Sequence, residues 1–252
     1  MDQSLDILAF APHPDDAEIG CGGSLILASQ QGLRVAIADL TKAENSTRGN
    51  LEQRQKEVDL ATKHLGLVQR YNLGLPDTKI GTDPDHRDPL IQLIRKIRPK
   101  IVLSPYWQDR HPDHEATGKL VKEAFFFAGV SKVGVGEAYR PQRLYNYMLH
   151  HPFEPSFVIN ISPVWEQKMT AIEAFASQFK PTHENEDEET VLSQPDFLRF
   201  IEARSIYFGA MIGAAYGEAF YAMGPLELQG FPEFDQPISS KGRTAVYSVY
   251  SP

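Results

Sequence analysis

The chain has 252 residues, 42% of them hydrophobic and 23% charged, a length and balance that fit one globular domain with a sizeable core. A formal net charge of −8 argues against a general electrostatic grip on nucleic acid or an anionic membrane. A lone cysteine, Cys21, excludes an intrachain disulfide and accords with a reducing cytosol, while the acidic start MDQSLD is unlike a secretory signal and no apolar run is long enough for a membrane span.

The apolar run at 7–11 (ILAFA) reads as a strand buried on both faces, followed by a helix over 17–31 that ends near Gly32. RVAIADL (34–40) is a second strand, 51–65 a helix closed by Gly66, RYNLGL (70–75) a weaker strand, and 89–99 a helix stopped by Pro99. KIVLSPY (100–106) is a fourth strand and 113–128 the next helix. This alternation predicts an α/β fold, a single domain with a Rossmann-like parallel sheet flanked by helices. The second half predicts strands at 143–149 and 157–161, and a helix over 164–179 with a core stripe of Trp165, Met169, Ile172 and Phe179. A last helix spans 195–213; the acidic run ENEDEE (184–189) reads as a solvated loop. The domain is expected over 1–229, with 230–252 an extended tail carrying a terminal strand at TAVYSVY.

Chemistry concentrates at 12–23, PHPDDAEIGCGG, where three readings compete. A dinucleotide loop needs G-x-G-x-x-G directly after the strand. Gly20, Gly22 and Gly23 have the wrong spacing and start too late, and the two carboxylates would repel a pyrophosphate. These glycines instead suit close packing of the first helix. A turn with a capping Asp needs one carboxylate, not two beside a histidine. A metal site needs further ligands, and HPDH at 111–114 supplies them, again directly after a strand and so at the same sheet edge. Two histidines and an aspartate would suit a catalytic zinc, which keeps one position open.

Together, His13-Pro14-Asp15-Asp16 and His111-Pro112-Asp113-His114 resemble the PIG-L/LmbE-like zinc N-deacetylases, which act on small molecules containing N-acetylglucosamine. STRGN (46–50), EQR (52–54), ASQF (176–179) and YGEAF (216–220) look closest to the bacillithiol-pathway members, which hydrolyse N-acetylglucosaminyl malate. The resemblance implies one Zn2+ per chain held by His13, Asp16 and His114, a donor set that other divalent metals such as iron, manganese or cobalt also suit. It makes Asp15 the general base, His111 the group that steadies the oxyanion, and Asp113 the residue that orients His111 and favours its protonated form. It also implies a cytoplasmic homo-oligomer, often a hexamer, whose partner is a small N-acetylglucosaminyl conjugate. Chitin disaccharides and mycothiol-type precursors are the alternative substrates, and a non-catalytic metal- or sugar-binding protein is the alternative class.

Several alternatives stay open on the residues alone. Asp15 or Asp113 could be a helix cap, and His111 a fourth metal ligand. Malate brings two carboxylates, so Arg48, Arg54 and Arg110 are the candidate clamps, with a solvated loop the competing reading for Arg48.

Overall fold

A computed structural model describes residues 4–179 and 188–227. The tail at 230–252 with its expected strand, and residues 184–187 of the acidic run, lie outside the described residues. The described part forms one seven-stranded sheet in the order β3-β2-β1-β4-β5-β7-β6. Strands β1 (Ile7–Ala11), β2 (Val35–Asp39), β3 (Gln69–Asn72), β4 (Ile101–Pro105) and β5 (Arg143–Tyr147) are mutually parallel, as expected. At the far edge β7 (Gly217–Ala222) lies antiparallel between β5 and β6 (Phe157–Asn160). No strand is predicted at β7, because the buried Glu218 interrupts its apolar pattern.

The strands show why both faces must be covered. In β1, Ala9 and Ala11 enter one core, with Val35 and Ile37 of β2. Leu8 and Phe10 alternate into the opposite core, with Ala36 and Ala38. Helices α1 (Asp16–Gln30), α2 (Leu51–Leu65), α5 (Trp165–Glu173), the short α6 (Ala176–Phe179) and α7 (Pro195–Met211) line the first face; α3 (Pro84–Ile97) and α4 (Pro112–Ala128) line the second.

Two helices differ from expectation. Helix α3 starts at Pro84 behind an Asp83 N-cap, and Pro89 lies inside it. The helix expected over 164–179 is two, α5 and α6, with the fully buried Phe175 between them. Its stripe is core at Trp165, Ile172 and Phe179, with Met169 partly buried against them. Among the described residues no helix is long and apolar enough to cross a membrane.

Helix α1 explains the GCGG segment. A Cβ on Gly20 would run into the ring of Tyr147, and one on Gly23 would stand 2.9 Å from Ile161. This close approach admits a buried ion pair to the helix backbone. Lys168 Nζ lies 2.6 Å from Glu218 Oε1. The Glu218 carboxylate accepts the amides of Gly23 and Ser24 and the Ser24 hydroxyl. The Ile19 carbonyl, which an undisturbed helix would pair with the Gly23 amide, accepts from Lys168 and Arg204. Arg204 also donates to the carbonyls of Met148 and Leu149. At the first turn of α1, Glu18 meets Arg70 of β3, which also grips Asp39 of β2. Helix α1 is thus pinned to the sheet at its start and middle.

Candidate metal centre

The two HPD motifs follow adjacent parallel strands, β1 and β4, at their carboxyl ends. From β1 the order runs outward through β2 and β3, and from β4 through β5, so this crevice is the topological switch point of the sheet. His13 stands in the turn after β1, Asp16 opens α1, and His111 and His114 sit at the start of α4.

His13, Asp16 and His114 each offer one ligand atom, all within 4.8 Å of one another. Asp16 Oδ2 lies 3.1 Å from His13 Nδ1 and 3.3 Å from His114 Nε2. Zinc bonds of about 2.0–2.2 Å in a tetrahedron separate neighbouring ligands by about 3.3–3.6 Å, and these spacings come close to that. The charge fits as well. Asp15, Asp16, Asp77, Asp109 and Asp113 are all buried in this region. Burial works against the His114 imidazolium, yet the Asp16 charge and the Asp109 hydrogen bond raise its pKa to about 9. His13 is held well above its ordinary value despite burial by Asp113, Asp16 and Asp77. The cluster calls for positive charge, which either protons on these imidazoles or one divalent cation can supply.

Each imidazole is backed by carboxylate, an arrangement that fixes ring and tautomer in metal sites. His13 Nε2 lies 3.2 Å from both Asp113 Oδ2 and Asp77 Oδ1. His114 Nδ1 lies 3.0 Å from Asp109 Oδ1. This corrects the expectation for Asp113: its carboxylate serves His13 and accepts the Thr78 amide, and it does not orient His111. Nor is it the cap of α4. His111 is the N-cap, its Nδ1 accepting the Asp113 amide. That bond leaves the His111 proton on Nε2, and burial together with His114 and His13 lowers its pKa. The expectation of a protonated His111 is therefore replaced by a neutral ring with an Nε2–H donor. His111 does not group with Asp16 and His114 as a fourth ligand.

Asp15 stands at the N-cap of α1 but makes no capping hydrogen bond with its side chain. Its backbone has φ 122°, a region that favours glycine. Its carboxylate lies 3.5 Å from Arg54 Nη1, and burial followed by the Asp16 charge pushes its pKa up to about 8. It borders the same cavity of about 240 Å³ as the ligand triad.

The three arginines separate. Arg48 is buried, with Nε donating to the Ser177 carbonyl, so neither a malate clamp nor a solvated loop describes it. Arg54 is buried and gives its guanidinium to the Pro14 carbonyl and the Ser46 hydroxyl beside Asp15. Arg110 is exposed and borders both the metal cavity and an adjoining groove of about 320 Å³. A larger cavity, about 640 Å³ between α2 and β3, contains no histidine and none of the triad. The reading of the motifs missed Asp77, Asp109 and His150, which lie in the loops following β3, β4 and β5. Their shared signal is position at the carboxyl edge of the sheet.

The profile of the PIG-L family, GlcNAc-PI de-N-acetylase, matches residues 8–125. The diacetylchitobiose deacetylase of Thermococcus kodakarensis is 30% identical over 225 residues, 84% of this chain and 80% of that protein. A Bacillus cereus protein described as a probable N-acetyl-alpha-D-glucosaminyl L-malate deacetylase 2 is 29% identical over 185 residues, 68% of this chain and 83% of that one. Among solved structures, the conserved protein TT1542 of Thermus thermophilus superposes with a TM-score of 0.82 at 40% identity, covering 89% of this chain and 97% of its own.

Proposed function

The chain belongs to the PIG-L family of de-N-acetylases, and from that premise we propose that it is a zinc-dependent deacetylase of small N-acetylglucosaminyl conjugates, with the malate conjugate of bacillithiol synthesis as first substrate. The observation that carries the reaction is the placing of Asp15, buried and outside the ligand set, beside His13, Asp16 and His114 in one cavity.

His13, Asp16 and His114 would hold the zinc, which when bound would supply a Lewis acid and lower the pKa of water toward neutrality. The chain's own residues do the rest. Asp15 takes a proton from the attacking water and passes it to the leaving amine; such help is worth about 10²–10⁴-fold. The raised pKa of Asp15 suits a group that must both accept and return a proton. His111, neutral, donates from Nε2–H to the oxygen on which negative charge develops. Arg54 acts from behind Asp15, limiting the rise that burial and Asp16 impose on it.

An anionic aglycone is supported by Arg110, which lines the adjoining groove and has no polar partner among the described residues. The test is free-amine release by the zinc-loaded protein from N-acetylglucosaminyl malate, N-acetylglucosamine and diacetylchitobiose. Arg110→Ala should raise KM for the malate conjugate about 10–100-fold, the worth of a charged hydrogen bond, and change N-acetylglucosamine far less. Preference for the chitin disaccharide would keep the mechanism and discard the malate assignment. Absence of release from all three would refute the function.

A further inference from the structure

Asp109 has a carboxylate that joins the metal centre to a second imidazole outside it. Its Oδ1 lies 3.0 Å from Nδ1 of His114 and 3.0 Å from Nδ1 of His150, and accepts the His111 amide at 3.1 Å. Its Oδ2 accepts the amides of His150 and His151. A carboxylate surrounded by five donors is an acceptor only, so both imidazoles turn Nδ1–H toward it. His114 is thereby left with Nε2 facing Asp16. His150, stacked on His114 at 5.3 Å between ring centres with 14° between planes, is left with an Nε2 that has no partner among the described residues. The His150 ring borders both the metal cavity and the groove that Phe197 and Phe200 of α7 line.

We propose that Asp109 is a positioning residue with two effects, fixing the metal-facing nitrogen of His114 and presenting the His150 ring edge at the passage from cavity to groove, and that His150 contacts the substrate where the aglycone leaves the acetylated sugar. The inference rests on the deacetylase reading for its substrate half and is independent of it for its metal half. The contact is a single hydrogen bond that Nε2 accepts from a hydroxyl or amide group at that junction, with the rest of the aglycone lying over Phe197 and Phe200. A substrate larger than a monosaccharide is implied, because the groove begins beyond His150.

The experiment compares His150→Ala, His150→Gln and Asp109→Asn with wild type by two measurements. The first is zinc affinity of the metal-free protein, read by competition with a chromophoric chelator. Asp109→Asn should weaken zinc about 10–100-fold, the usual cost of removing the group behind a metal-bound histidine, and the His150 variants less than about threefold. The second is kcat and KM on N-acetylglucosaminyl malate and diacetylchitobiose, each against N-acetylglucosamine. His150→Ala should lower the conjugate-to-monosaccharide ratio of kcat/KM about tenfold, through KM, with His150→Gln restoring part of it. In Asp109→Asn, adding His150→Ala should then lower the ratio no further. Zinc affinity in Asp109→Asn within about twofold of wild type overturns the metal half. Equal loss on conjugate and monosaccharide in both His150 variants overturns the substrate half. A wild type inactive on every N-acetylated sugar refutes the deacetylase reading and the substrate half with it, while the chelator titration still decides the metal half.

Discussion

Replacing Lys168 by Met tests whether the buried ion pair holds α1 in place. Lys168 is fully buried, and Met keeps much of its stem while deleting the charge. Glu218 then remains in the core without its counter-ion. Removing one partner of a buried pair costs about 3–5 kcal/mol, because the survivor stays desolvated and unpaired. Here Glu218 keeps three donors from α1, the amides of Gly23 and Ser24 and the Ser24 hydroxyl, which places the expected loss at the low end, about 3 kcal/mol. For a chain of this size that lowers Tm by about 6–12 °C. The assay is urea unfolding of the zinc-loaded protein, read as a shift of the midpoint at unchanged slope. The double variant Lys168→Met/Glu218→Gln removes the stranded charge and should recover about 1–2 kcal/mol relative to the sum of the single losses. A single-variant loss below about 1 kcal/mol, or strict additivity in the cycle, would refute the idea that this pair fastens the helix.

Other substitutions probe the site and its supports. Asp15→Asn should cut kcat by about 10²–10⁴-fold while the purified protein retains one zinc per chain, as counted by metal analysis. Loss of zinc with activity would instead make Asp15 a ligand. Asp113→Asn should weaken zinc about 10–100-fold in the same chelator competition, since its carboxylate backs His13; an unchanged affinity with a shifted pH profile would return Asp113 to His111. Gly23→Ala puts a methyl 2.9 Å from Ile161 and 3.1 Å from Glu218 Oε1, and should cost about 1–3 kcal/mol in urea unfolding. A neutral result there would show that α1 can move away from the sheet.

The first half of the fold was legible because its signals are local. Strands β1, β2 and β4 each open on a continuous apolar run, and Gly66 closes α2 in the left-handed conformation the sequence suggests. The grouping of His13, Asp16 and His114 was legible because its members come from two compact motifs whose place at strand ends is itself a pattern. What escaped are contacts made by single residues. Asp77 and His150 stand alone in their loops, and Asp109, two residues before the second motif, carries no local sign that it backs His114 and reaches across to His150. Asp113 was expected to back His111, and its carboxylate lies against His13 instead, because neighbours in sequence need not be neighbours in the fold. The break between α5 and α6 carries no glycine or proline. Phe175 sits there with the guanidinium groups of Arg54 and Arg70 each 5.9 Å from its ring centre, a packing that only tertiary structure discloses.

The backbone of Asp15 bears on how such a protein can be engineered. A side chain held at φ 122° costs on the order of 1–3 kcal/mol, and glycine would relieve much of it. The carboxylate at this position is also buried next to another carboxylate, so its removal relieves a second penalty. If Asp15 carries the proton as proposed, a library screened on melting temperature alone will enrich glycine at position 15 and return hardened proteins whose turnover is about 10²–10⁴-fold lower. Thermal selection on this scaffold has to be coupled to an activity screen from the first round, with that codon held fixed.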